Sequence, residues 1–91
     1  MKFRIKYHEL VVNDDVPKLS KELKERIKKD IEFKLGSKPE VFGKPLRKSL
    51  KGYRKLRVGD YRVIFRIDDN IIKIFLIQHR SVVYKKDIDR I

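Results

Sequence analysis

Residues 52–67 read GYRKLRVGDYRVIFRI, two alternating runs of apolar and basic residues separated by Gly59-Asp60. Gly-Asp between alternating runs is a two-residue turn signal, so the stretch predicts a β-hairpin. The turn sets the register. Val58 pairs with Tyr61, Arg57 with Arg62, Leu56 with Val63, Lys55 with Ile64, Arg54 with Phe65 and Tyr53 with Arg66. Because side chains alternate between faces, Leu56, Val58, Tyr61, Val63, Phe65 and Ile67 share one face with Arg54. Tyr53, Lys55, Arg57, Arg62, Ile64 and Arg66 share the other. The first face is the one a helix would cover. The second gathers the basic residues and sets Arg57 directly opposite Arg62, which costs up to about 1 kcal/mol unless something relieves it.

Residues Lys2 to Tyr7 also alternate, with Phe3, Ile5 and Tyr7 on one side, and predict a half-buried N-terminal strand. Val16, Leu19, Leu23, Ile27, Ile31 and Leu35 recur every three or four residues and form one helical stripe. Asp15 or Ser20 can cap its start and Gly36 can end it, as one bent helix or two in series. Residues 37–52, rich in Pro and Gly, form a loop with at most a short extended piece. Asp69-Asn70 supplies a second turn into Ile71–His79, completing a three-stranded meander. The third strand's register is open by one residue, which moves Lys73, Phe75, Ile77 and His79 together from one face to the other. The tail, RSVVYKKDIDRI, forms a short helix or an irregular segment. The expected fold is α+β in a single domain, residues 1–91: a small antiparallel sheet of the N-terminal strand plus the meander, packed against one or two N-terminal helices.

Lys and Arg number 25 against 13 Asp and Glu, giving a formal net charge of +12. Such an excess points to nucleic acid or another polyanion as partner. No membrane association is expected: an acidic membrane surface would want a basic amphipathic helix or a lipid anchor, and the longest wholly apolar run is only Ile74 to Ile77. Cysteine is absent, which excludes disulfides and thiolate metal sites. MKFRIKYHEL has no continuous apolar core of a signal peptide, so a cytoplasmic protein is expected. Two His, His8 and His79, make a metal site unexpected, and no cofactor motif is present: Gly43-Lys44 lacks the upstream glycine of a P-loop. The serines fit no nucleophile elbow.

RNA cleavage needs no protein nucleophile, because the substrate's own 2′-OH can attack the adjacent phosphate. The protein must position the strand, neutralise developing charge and move protons. Arg62, Arg80, Tyr84 and His79 are candidates for this chemistry, with Lys55, Arg57 and Arg66 for phosphate and Tyr53 and Phe75 as stacking platforms. Each has a plainer reading as well. The basic face can be simply solvated, Tyr84 can be a packing residue and His79 can do no more than end its strand.

GYRKLRVGDYRVIFRI, followed by a turn, an apolar strand and HRSVVY, resembles the RelE/ParE toxin superfamily of type II toxin–antitoxin modules, and the HRxxVY ending leans toward its RelE branch. The order of strand, helices, GKPL loop, meander and basic tail extends the resemblance over almost the whole chain. The resemblance implies a small cytoplasmic ribonuclease that cuts mRNA in the ribosome and is neutralised, in a hetero-oligomer, by a cognate acidic antitoxin. It further implies that Arg62 and Arg80 engage the scissile phosphate, that Tyr84 assists proton transfer or stacks on a base, and that Lys55 and Arg57 stand near the family's basic residues on the preceding strand. Two alternatives remain at this point: a ParE-like inhibitor of DNA gyrase without ribonuclease activity, and a non-toxic nucleic-acid-binding protein.

Overall fold

In the computed structural model, which describes residues 3–46 and 52–82, strand β1 (Arg4–Tyr7) leads into a π-helical turn (Val11–Asp15) and a 3-10 turn (Val16–Lys18). Helix α1 (Lys21–Asp30) follows, extended by a π-helical stretch (Ile31–Leu35), and then the short α2 (Pro39–Phe42). Strands β2 (Lys44–Pro45), β3 (Arg54–Val58), β4 (Tyr61–Asp68) and β5 (Ile71–His79) complete a five-stranded sheet in the order β1-β5-β4-β3-β2.

The hairpin has the expected register, Arg57 opposite Arg62 and Arg54 opposite Phe65, and its turn uses Gly59 at φ +59°, a conformation glycine adopts without steric cost. The sheet, however, is mixed. Strand β1 runs parallel to β5, with Ile5 opposite Ile72 and Tyr7 opposite Ile74. A period-two pattern fixes which residues face the core and says nothing of strand direction, so alternation could not distinguish this from an antiparallel edge.

The helical stripe resolves into two helices in series. Leu19 is extended (φ −90°, ψ 143°), and the Ser20 hydroxyl caps α1 by accepting the Leu23 N–H at 3.2 Å. Asp15 makes no cap bond; its work lies elsewhere. The π-helical stretch has a reason in the sequence. Leu19, Leu23, Ile27, Ile31 and Leu35 are spaced by fours, and each such step overshoots a full α-helical turn by about 40°. Widening the last turn, with the Gly36 N–H donating to the Ile31 carbonyl, returns Ile31 and Leu35 to the face of Ile27. All three are buried. The helix persists slightly beyond Gly36, which stays right-handed, and stops at Lys38, where Pro39 disfavours the helical region for the residue before it.

Phe65 lies at 0% exposure in a core that joins Ile27, Ile31 and Leu35 to Leu56, Val63, Ile72 and Ile74. The GKPL loop is drawn in against it. A Cβ on Gly43 would lie 2.2 Å from Phe65 Cζ and 2.9 Å from the Pro39 carbonyl oxygen, neither of which can retreat. Gly43→Ala is therefore expected to lower stability by about 1–3 kcal/mol, read as a lower urea midpoint at unchanged slope.

The third strand does not move as a block. Ile64 pairs with Leu76 but Phe65 pairs with Ile74, so Phe75 is the extra residue of a β-bulge. Alternation restarts there. Lys73 and Phe75 fall on the face of Arg66, whereas Ile77 and His79 fall on the helix-covered face with Val63 and Tyr61.

Candidate functional site

The sheet face away from the helices carries Tyr53, Lys55, Arg57, Arg62, Ile64 and Arg66, as the register requires. It is not an open basic surface. Ile64 and Leu76, register partners on this face, are 0% and 1% exposed, and Arg62 is 6% exposed. Alternation assigns a face to each residue but not a depth. Lys55, Tyr53 and Arg66 are half-buried, and Arg57 is the one exposed member of the six.

The Arg57/Arg62 pair is relieved by the two side chains finding different acceptors. Arg57 Nε donates to the Gly59 carbonyl at 3.3 Å. Arg62 Nη1 donates to the Arg80 carbonyl at 3.3 Å, and its Nη2 donates to that of Val82. A buried guanidinium thus holds the segment that follows β5. Arg80 is fixed from a second side, since its N–H donates to the Asp60 carbonyl at 2.8 Å and its Nε lies 3.7 Å from Asp60 Oδ1. Its side chain remains 65% exposed. Arg62 and Arg80 are therefore brought together. Arg54, the charged residue on the helix-covered face, is accommodated by donating to the Gly43 carbonyl at 3.1 Å.

His79 departs from the expectation that groups it with these residues. It stands edge-on to Tyr61, ring centroids 5.3 Å apart, and its Nδ1 meets Ser81 Oγ at 2.9 Å. The bulge puts it on the opposite face of the sheet from Lys55 and Arg66, so it cannot share a nucleic-acid strand laid across them. Tyr84 lies outside the described residues.

A second group forms toward the other end of β4. Tyr53 meets Phe75 edge-on at 5.2 Å, and the Arg66 guanidinium lies 5.6 Å and 5.8 Å from their ring centroids, within cation–π range. Arg66 Nη1 is 3.4 Å from the Tyr53 hydroxyl. Arg66 and Lys73, directly opposite each other, share Asp68, which lies 3.0 Å from Lys73 Nζ and 3.7 Å from Arg66 Nη2. The hydrogen bond from Lys73, then the charges of Lys73 and Arg66, hold the Asp68 carboxyl below its ordinary range. Reasoning from sequence missed this brace, although Asp68 is two residues from Arg66 on an alternating strand and so shares its face. It missed the bulge too, whose signal is the four-residue apolar run Ile74–Ile77, where alternation fails.

Among the described residues no three His, Asp or Glu side chains cluster as metal ligands would, and no helix is long and apolar enough to cross a membrane. The family described as the ParE toxin of type II toxin–antitoxin systems matches residues 4–84. The chain belongs to the RelE/ParE toxin superfamily. Toxin RelE of Mycobacterium tuberculosis is 42% identical over 60 residues, and the match spans 60% of this chain and 62% of that protein. The RelE/ParE fold is equally recognisable in three dimensions. The toxin–antitoxin complex RelBE2 of Mycobacterium tuberculosis contains a chain with a TM-score of 0.76 at 29% identity, covering 88% of this chain and 100% of that one. A mutant of E. coli toxin RelE in the free state shares the fold at a TM-score of 0.73 and 22% identity, covering 100% and 99% of the two chains.

Proposed function

We propose that the protein is the toxin of a type II toxin–antitoxin module and an endoribonuclease that cuts mRNA in translating ribosomes. The substrate's 2′-oxygen bonds to phosphorus while the bond to the 5′-oxygen breaks. Superfamily membership and similarity to proteins named RelE and RelG support the class. The observation that carries the site is the bond from the buried Arg62 to the carbonyl of the exposed Arg80 at 3.3 Å. Arg80 engages the scissile phosphate and the charge that develops on it. Arg62 holds Arg80 in place, Lys55 and Arg57 take neighbouring phosphates, Tyr53 and Arg66 offer stacking surface, and Tyr84 serves proton transfer or stacking as the resemblance implies.

The partner is an acidic antitoxin in a hetero-oligomer. A net charge of +12 favours an acidic partner, and the RelBE2 relative is a toxin–antitoxin complex. The deciding experiment is a reconstituted translation reaction beside a gyrase supercoiling assay. mRNA should be cut only with translating ribosomes present, with supercoiling unaffected. Inhibited supercoiling with intact mRNA would replace this reading by the gyrase-directed one, which the ParE description of the matching family favours.

A further inference from the structure

A cleft of about 160 Å³ lies between β1 and β5, lined by Lys6, Tyr7, His8, Lys73, Ile74 and Phe75. Resting on the reading that the protein acts on RNA, we infer that this cleft, continuous with Arg66 and Tyr53, is a subsite for one unpaired nucleotide, distinct from the position of Arg62 and Arg80. Lys6 stands opposite Lys73 across β1 and β5, and Lys73 stands opposite Arg66 across β5 and β4. Three cations thus form one row over three adjacent strands. Asp68 partners two of them, and Lys6 has no acidic partner among the described residues. Like charges directly opposite one another are unfavourable, so a row with one carboxylate for three cations gains from a bound phosphate.

The rest of the lining suits a base. His8 lies 5.9 Å from the Phe75 ring at a tilt of 42°, and Phe75 leads on to Tyr53 and Arg66 through the contacts described above. The His8 ring is oriented by its backbone, since Nδ1 accepts the Leu10 N–H at 3.0 Å. With Nδ1 an acceptor, the neutral ring carries its proton on Nε2, a donor at its far end. A tilted pair of aromatic rings, a fixed donor and flanking lysines match a nucleotide, which brings a base and a phosphate together, better than an acidic peptide, whose carboxylates engage the lysines alone. Arg66 is four residues from Arg62 on β4, about 13 Å along the strand. The subsite therefore reads a nucleotide near the cleaved bond and not the pair that flanks it.

The test measures binding by fluorescence anisotropy of a short single-stranded RNA and of an abasic ribose-phosphate oligomer of equal length. The wild type should bind the RNA about tenfold more tightly, as one stacked base provides. His8→Leu with Phe75→Leu should abolish that preference while leaving the abasic affinity unchanged. Lys6→Gln, on an exposed position outside the core, should reduce the slope of log affinity against log salt by about 0.7, one phosphate contact on a single strand. Equal binding of both oligomers by the wild type, or an unaltered salt slope in Lys6→Gln, would overturn the subsite. Cleavage on ribosomes is read separately: RNA cut without any base preference sinks the subsite alone, and base preference without cleavage leaves the subsite standing and removes the endonuclease.

Discussion

Arg80→Ala is expected to slow mRNA cleavage by about 10²–10³-fold, the usual loss when one donor to developing charge is removed from an active site. Stability should stay within about 0.5 kcal/mol of wild type. The two expectations come from different parts of the residue. The backbone N–H to Asp60 and the carbonyl that accepts from Arg62 survive the substitution, so the segment after β5 keeps its anchors. What is lost is an exposed side chain whose ion pair with Asp60, itself 64% exposed, contributes little. Single-turnover cleavage on ribosome complexes, beside a urea titration, separates the two effects. An Arg80→Ala protein that cuts as fast as wild type would remove Arg80 from the site.

Asp15→Ala should cost about 3 kcal/mol of folding stability, a large share of the total for a chain of this length. Strand β1 ends its pairing at Tyr7 opposite Ile74, so beyond that point β5 has, among the described residues, no strand on its β1 side. The π-helical turn fills the gap, and Asp15, 4% exposed, accepts the Ile77 N–H through Oδ2 at 2.9 Å. A carboxylate thus stands in for a neighbouring strand. Alanine removes a hydrogen bond to a charged group and leaves a buried N–H without its acceptor. Asp15→Asn keeps an acceptor oxygen and should cost roughly half as much. Urea midpoints of the two variants check the ordering, and equal losses would show that charge, and not the acceptor, is what matters.

The hairpin was legible because its turn and its alternation lie in adjacent residues, so Gly59-Asp60 determined every pairing from Arg54 to Phe65. The helical stripe was legible for the same reason, down to the four-residue spacing that the π-helical stretch absorbs. Of the two caps the sequence offered, Ser20 is the one used; the role of Asp15 was hidden because its partner lies 62 residues away and leaves no local trace. The direction of β1 was hidden, since alternation is the same for parallel and antiparallel neighbours. In the candidate site, the contact of the Arg62 guanidinium with the Arg80 carbonyl and the burial of Arg62 both depend on where the chain runs after β5, which no local pattern shows. The face of His79, left open by the register of the third strand, is decided by one extra residue, Phe75, which inverts every face after it.

The pairing of β1 also sets an order of events during synthesis. Arg4 meets Ile71, 67 residues later, and at ribosomal rates of about 5–20 residues per second that separation amounts to roughly 3–13 s. The first strand made is thus the last to find its partner, and the interval leaves the apolar side chains of Ile5 and Tyr7 without the strand that covers their edge. The latch from Arg62 to residues 80 and 82 waits longer still. The Gly59-Asp60 hairpin therefore has all its residues before the acceptors of the Arg62 guanidinium, the carbonyls of Arg80 and Val82, exist.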